Sequence, residues 1–524
     1  MIPGVEQQSW APKRDQDLAT VARNISTRYM AIAAEMIIGL VMLPFNLAHL
    51  GAAQYGLWVL LGSVTIHLSI LDLGYGGAII KFMAQYRAHR DSRALNEIAS
   101  TMFFVFAATG LLAYGAAAGL AFHLEYIFHM TPDQAETGKW ILLIIGVHVA
   151  LNFPFSVYGG VSSGFQRFDI NNIVAICITV AAAIVNAVVL IAGYNLVTLV
   201  AATTAVRVFG YYIYRLNAIR IYPELRIHPS LFHMARLREV TGFSVYASII
   251  DWANKLNYEL DEVVIGIFFG SAYVGVWAVA ERIISGTQRL TNQLNGVLFP
   301  IIVDSDASQQ QEKLQRILLQ GTLLSLAMVV PISAALMLLA EPLVKAWVGP
   351  EMLGSVPVIQ ILAIAVAIRV GNATATTLLK GAGQHRTLAW VNLGTGVVNI
   401  LLSVALIKPF GLTGVAIGTL IPIALSSIFI VQPAAWRRVG LPIRRAVRQS
   451  VLPAIWPAFV IAAALALTRH ISSGTFLAVA MQAIGAGVLY LALFFMFAIS
   501  RTERTYYIAK LLELTGRRPL PSAA

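Results

Sequence analysis

The chain holds 524 residues, of which 58% are hydrophobic and only 12% charged, and its mean hydropathy is +0.74. A water-soluble chain carries about a quarter charged residues, so a soluble enzyme or nucleic-acid-binding domain is excluded. The net charge of +12 is concentrated in alternate loops, which makes it a membrane-topology signal.

Residues 1–26 are polar and lack the apolar core of a signal peptide, so they read as a cytoplasmic tail. The segment 27–216 carries six predicted membrane helices, with helix one at 27–49 and helix two at 55–82. Apolar runs at 98–122, 139–161 and 170–192 are each long enough to cross about 30 Å of hydrocarbon. Arg28 lies at the inner mouth of helix one, Glu35 lies deeper in it, and Asp72 lies near the inner end of helix two. Asp72 reads equally well as a helix cap and as a functional carboxylate. Arg207, on helix six, is expected to snorkel towards the cytoplasm. The lone Cys177 sits in an apolar run and reads as a packing residue. Gly160-Val-Ser-Ser-Gly164 fits the nucleophile-elbow pattern by letter only, because it ends a membrane helix.

A basic linker, 217–238, precedes a second set of helices, 239–435. Hydropathy falters between residues 250 and 297, but an internal repeat rescues the assignment. Leu50-Gly-Ala-Ala-Gln-Tyr-Gly-Leu-Trp58 returns as Phe269-Gly-Ser-Ala-Tyr-Val-Gly-Val-Trp277, at an offset of 219. Gly164-Phe-Gln166 matches Ala382-Gly-Gln384, Val185-Asn186 matches Val398-Asn399, and Tyr194-Asn-Leu196 matches Phe410-Gly-Leu412. An offset of six helices preserves orientation, so the halves are parallel repeats about an axis along the membrane normal. The expected fold is an all-α polytopic membrane protein of about 14 transmembrane helices. It comprises two six-helix lobes related by a pseudo-twofold, followed by a basic loop and two further helices within 436–500. A second cytoplasmic tail, 501–524, follows.

The basic segments 13–28, 81–93, 215–238, 437–448 and 501–518 fall on one side of this topology. The opposite loops hold only Lys139, Lys345, Lys408 and Arg469, which places both termini in the cytoplasm. Trp58, Trp140, Trp277 and Trp347 fall at predicted outer ends, as an interfacial belt requires.

Charges within membrane helices cost several kcal/mol unless they face protein or water. On helix seven, Asp251, Lys255, Tyr258, Glu259 and Glu262 share a face, with Asn254 and Asp261 at its edge. On helix eight, Glu281, Ser285, Gln288, Asn292 and Asn295 form one polar stripe flanked by Arg282 and Arg289. Asp251 and Lys255, spaced i,i+4, also suit a simple ion pair. Matching stripes on two helices point to a water-filled central cavity. Arg28, Lys255, Arg282, Arg289 and Arg369, with Gln288 and Asn292, suit an anionic headgroup, since guanidinium forks bind phosphate bidentately. Glu35, Asp72, Asp251, Glu259 and Asp261 are candidates for proton or sodium coupling. No Cys/His metal cluster, P-loop or cofactor motif is present, so no metal, cofactor or enzymatic activity is expected.

Several stretches resemble the Wzx-type polysaccharide-biosynthesis flippases of the multidrug/oligosaccharidyl-lipid/polysaccharide (MOP) exporter superfamily. They are Leu50–Trp58, Leu71-Asp-Leu-Gly-Tyr-Gly76, Phe153–Gly159 with Gly164–Phe168, Asp261–Gly266, Phe299-Pro300 and Lys380–Gln384. The resemblance implies two lobes in a V that opens alternately to each side, and a cationic cavity for a polyprenyl-diphosphate-linked oligosaccharide. It implies a bacterial cytoplasmic (inner) membrane location, a lipid-linked oligosaccharide and membrane lipids as partners, and polymerase and chain-length proteins of the same pathway nearby. O-antigen, capsule and exopolysaccharide units all remain open as cargo. Similarity to lipid II flippases is poorer, because helix two offers only Lys81 where those proteins carry a cavity arginine. The alternatives are an ion-coupled multidrug exporter and a membrane O-antigen polymerase or ligase.

Overall fold

The computed structural model describes residues 14–72, 74–241, 260–468, 474–499 and Arg504, and among these every regular element is helical. Ten helical stretches among the described residues are long and apolar enough to cross a membrane. The protein is a multi-pass membrane protein. Two of the stretches are each bent at one glycine. Gly51 (φ 72°) separates α1 (14–50) from α2 (52–68), and Gly411 (φ 63°) separates α12 (385–410) from α13 (412–425). Both glycines adopt a positive φ, a region that strains any side chain bearing a Cβ, so the chain turns there without a loop.

Predicted helix two is not continuous. It stops at Leu68, passes through a 3-10 turn at Ser69–Asp72 and a left-handed Gly74 (φ 70°), and resumes as α3, Tyr75–Ala88. The next helices are α4 (Ser92–Ala121), α5 (Pro132–Gly164), α6 (Phe168–Ile191) and α7 (Leu196–Ile221). Their starts are written locally. Asp91 accepts from the Ala94 amide, Thr131 and Gln134 form a capping box ahead of Pro132, and Asn195 accepts from the Thr198 amide. Each cap satisfies amides that the bilayer leaves without a partner. Then follow α8 (Asp261–Phe269), α9 (Ser271–Ala307), α10 (Gln311–Trp347) and α11 (Val356–Gly381). After α12 and α13 come α14 (Ile443–Thr468) and α15 (Phe476–Leu493).

The chain forms two compact units, one of 1–255 with 266–275, the other of 256–265 with 276–524. The first centres on Ile79, Met83, Ile98, Phe106, Phe153 and Val157, all buried. Lipid is as apolar as these side chains, so close fit, more than transfer from water, holds membrane helices together. Glycine supplies that fit. A Cβ on Gly160 would meet Ile79, and one on Gly164 would meet Met83, so the elbow-like motif is a helix-packing surface.

The segment after α7, expected as a basic linker, is docked along α4 in the first unit. Asn96 donates to the Glu224 carbonyl (3.0 Å) and accepts from the Arg226 amide (2.8 Å). Ser100 donates to the Arg226 carbonyl (3.1 Å), and Thr101 accepts from the His233 amide (3.0 Å). Arg236 then bridges the carboxylates of Glu97 (3.1 Å) and Glu239 (3.2 Å). Burial works against the Arg236 charge, but its bonds to Glu239 and Glu97 outweigh that and raise its pKa above the ordinary guanidinium value.

The second unit repeats this device. Gln311 donates to the Arg438 carbonyl (3.1 Å), Gln315 donates to the Val439 carbonyl (2.7 Å), and Arg438 pairs with Asp306 (2.7 Å). Ser92 and Asn96 lie at an offset of 219 from Gln311 and Gln315, the spacing of the repeat. Its core holds Ile302, Leu314, Leu318, Leu378 and Leu388.

Candidate functional site

The polar stripe predicted on helix eight lies on α9 and faces α11. Arg369, half-buried on α11, donates from Nη1 to Gln288 Oε1 at 3.0 Å. Two turns further along α9, Asn295 Oδ1 accepts from Thr374 Oγ1 (3.2 Å), and Ser325 of α10 lies 3.5 Å from the same hydroxyl. Glu281, half-buried, interacts electrostatically with Arg369, Asp261, Arg282 and Arg289. Arg282 is half-buried and Arg289 exposed. Three guanidinium groups therefore act electrostatically on one carboxylate within the second unit. Such a cluster keeps positive charge in excess at low dielectric, where an anion is held strongly.

Beside it lies a second group of oxygen ligands. Asp261 opens α8 and is buried, and Thr419 Oγ1 donates to its Oδ2 at 3.1 Å. Thr419 Oγ1 also lies 3.4 Å from Asn399 Oδ1 and 3.2 Å from the Val415 carbonyl. One hydroxyl proton cannot serve three acceptors at once. Ser403 Oγ donates to Asn399 Oδ1 at 3.0 Å, completing a buried set on α8, α12 and α13. Carboxylate, amide carbonyl and hydroxyl oxygens are the donors that hard cations prefer.

The structure brings together Asp261, Arg282, Gln288, Arg289 and Arg369 from the sequence-derived set. Arg28 and Glu35 are exposed on α1, seven residues apart and so on one face. Asp72 lies half-buried in the turn that interrupts predicted helix two, 3.3 Å from where a Cβ on Gly76 would sit. Asp251, Lys255 and Glu259 lie outside the described residues, as does the side chain of Asn292. Asn399, Ser403 and Thr419 were not selected from sequence. The recurrence of Val185-Asn186 as Val398-Asn399 was the one signal pointing to any of them.

Arg207, expected to snorkel towards the cytoplasm, is exposed near the middle of α7. The exposed apolar face of α7 holds Phe209, Tyr212, Leu216 and Ile219, whereas Arg207 falls on the opposite face with the buried Thr203, Tyr211 and Ala218.

Residues 49–357 match the family model described as polysaccharide biosynthesis protein, more than half of the chain. The chain belongs to that family. A probable flippase of Haloferax volcanii, AglR, is 23% identical over 424 residues, covering 79% of this chain and 83% of AglR. The succinoglycan biosynthesis transport protein ExoT of Rhizobium meliloti is 22% identical, covering 71% of each chain. The solved structure of the lipid II flippase MurJ in an inward closed conformation superposes with a TM-score of 0.70. It is 13% identical and covers 90% of this chain and 98% of MurJ, which establishes a shared fold for this member of the family.

Proposed function

We propose that the protein is a flippase that moves a polyprenyl-diphosphate-linked oligosaccharide repeat unit from the cytoplasmic to the outer leaflet. The family match over residues 49–357 carries this reading, supported by the names of AglR and ExoT. The guanidinium cluster of Arg282, Arg289 and Arg369 suits the diphosphate, whose charge the apolar bilayer would otherwise reject. Translocation makes and breaks no covalent bond, so the protein needs no catalytic residue.

The oxygen set of Asp261, Asn399, Ser403 and Thr419 is the coupling-ion site in this reading. A sodium ion would satisfy the competing oxygens around Thr419, and a proton on Asp261 would remove its charge. Either event lowers the cost of moving the site between two alternately open states. Both termini lie in the cytoplasm, supported by the basic segments that follow α7 and α13. The membrane is the cytoplasmic (inner) membrane, with the polymerase and chain-length proteins of the pathway as neighbours.

Cells lacking this protein should accumulate complete lipid-linked units on the cytoplasmic leaflet. Units that reach the outer leaflet but stay unpolymerised would instead indicate a polymerase or ligase.

A further inference from the structure

The first unit holds a second polar site within the membrane, between α5, α6 and α7. Its floor is a hydrogen-bond network that joins the three helices. Asn171 on α6 donates to the Gly159 carbonyl (2.9 Å) and to Ser163 Oγ (3.0 Å), and Tyr214 donates to the Asn171 carbonyl (3.3 Å). Above this floor, the Tyr211 hydroxyl lies 2.8 Å from His148 Nδ1 and donates to Asn152 Oδ1 at 3.1 Å. The Tyr211 ring stacks between His148 and Phe155, with centroids 5.6 and 5.7 Å away. Arg207 stands one helical turn before Tyr211 and interacts electrostatically with both Tyr211 and His148.

The direction of Arg207 is fixed by its neighbours. Gly210 abuts Ile178 of α6, Tyr211 bonds to α5, and Arg207 projects between these two contacts. Although it lies on the packed face of α7, it is exposed, as are Asn152 and Ser156 on α5. These three exposed polar side chains flank the contact that Tyr211 makes with His148 and Asn152, where α5 and α7 meet. Arg207 lies about 16 Å along α7 from its first residue, near the middle of the helix. Among the described residues, no hydrogen bond and no ion pair to a carboxylate discharges it. An arginine at that depth is costly, and a bound anion offsets the cost.

We propose that this polar patch at the α5–α7 contact binds a single acidic group, a uronic-acid-type carboxylate, on the sugar head of the translocated molecule. This rests on the flippase reading above. Arg207 supplies one positive charge, and Asn152 and Ser156 supply neutral donors and acceptors for the neighbouring sugar hydroxyls. One guanidinium among neutral partners matches one carboxylate. The multiply charged diphosphate is better matched by the three arginines of the second unit.

The test uses the full-length protein in lipid nanodiscs, titrated calorimetrically with digalacturonate, a neutral digalactoside and inorganic pyrophosphate. Wild type should prefer digalacturonate to the neutral disaccharide. Arg207→Gln should weaken digalacturonate binding about tenfold or more, as loss of a charged hydrogen bond does, and leave pyrophosphate binding unchanged. Arg207→Lys should retain most of the preference, and Ser156→Ala, at an exposed position whose hydroxyl bonds only within α5, should weaken binding without altering thermal unfolding. Unchanged digalacturonate binding in Arg207→Gln would overturn the proposal, as would an equal loss of pyrophosphate binding or no preference in wild type. Transport of a lipid-diphosphate oligosaccharide in vesicles separates the two readings. Transport without acid preference removes only this site, and Arg207-dependent acid binding without transport removes only the flippase assignment.

Discussion

Gly56 and Gly275, equivalent residues of the internal repeat, pack against each other. A Cβ on Gly56 would lie 2.7 Å from the Gly275 nitrogen and would collide with the Ser271 carbonyl. A Cβ on Gly275 would lie 2.5 Å from the Ala52 carbonyl oxygen and 3.4 Å from the Gly56 nitrogen. Ala52 with Gly56, and Ser271 with Gly275, are small residues four apart, the spacing that lets membrane helices approach backbone to backbone.

Gly56→Ala should therefore lower the thermal unfolding temperature in detergent, because the obstacle is main chain and cannot rotate away. Gly62→Ala is the control, since nothing lies within 4 Å of its Cβ position. There the gain in helix propensity, about 1 kcal/mol, should leave stability unchanged or raised. Equal behaviour of the two variants would remove the packing argument.

The docking of the segment after α7 depends on Glu97, whose buried carboxylate pairs with Arg236 and Arg93. Glu97→Ala leaves Arg236 with Glu239 as its one carboxylate partner, beside the Tyr86 hydroxyl, and should cost about 3 kcal/mol, read by thermal unfolding. Glu341→Gln breaks the exposed pair with Lys345 and should have no measurable effect.

Much of this architecture is legible in the sequence, because a bilayer demands long apolar runs and the repeat carries the helical reading through the polar residues 271–297. The Arg369 pairing with Gln288 was foreshadowed by the polar stripe on α9. The break at Ser69–Gly74 was missed because apolar residues continue through it, so hydropathy does not register a change in backbone. Asn399 and Thr419 were missed for a different reason. They lie far along the chain from Asp261, on helices whose composition is otherwise apolar, and only folding brings the three together.

Asp261→Asn keeps the shape of the oxygen set and removes its charge. If the set holds the coupling ion, an imposed sodium or proton gradient should accelerate transport by wild type and leave Asp261→Asn unaffected. Thr419→Ala should raise the ion concentration required by about tenfold or more. Gradient stimulation that survives in Asp261→Asn would place coupling elsewhere.

Charge reversal at Arg369 should abolish export. Arg369→Glu adds a second carboxylate beside Glu281 where a diphosphate needs a cation. Folded protein should still be recovered from the membrane, so that loss of export reports on cargo binding. Normal export by this variant would exclude Arg369 from the cargo path.

The central claim is tested most directly in vesicles holding the purified protein and a fluorescent polyprenyl-diphosphate oligosaccharide, with a membrane-impermeant quencher added outside. The protein should bring the whole probe pool within reach of the quencher, chemically unaltered, while protein-free vesicles keep the inner-leaflet fraction protected. Equal protection in both preparations, or a probe recovered polymerised or cleaved, would contradict the assignment.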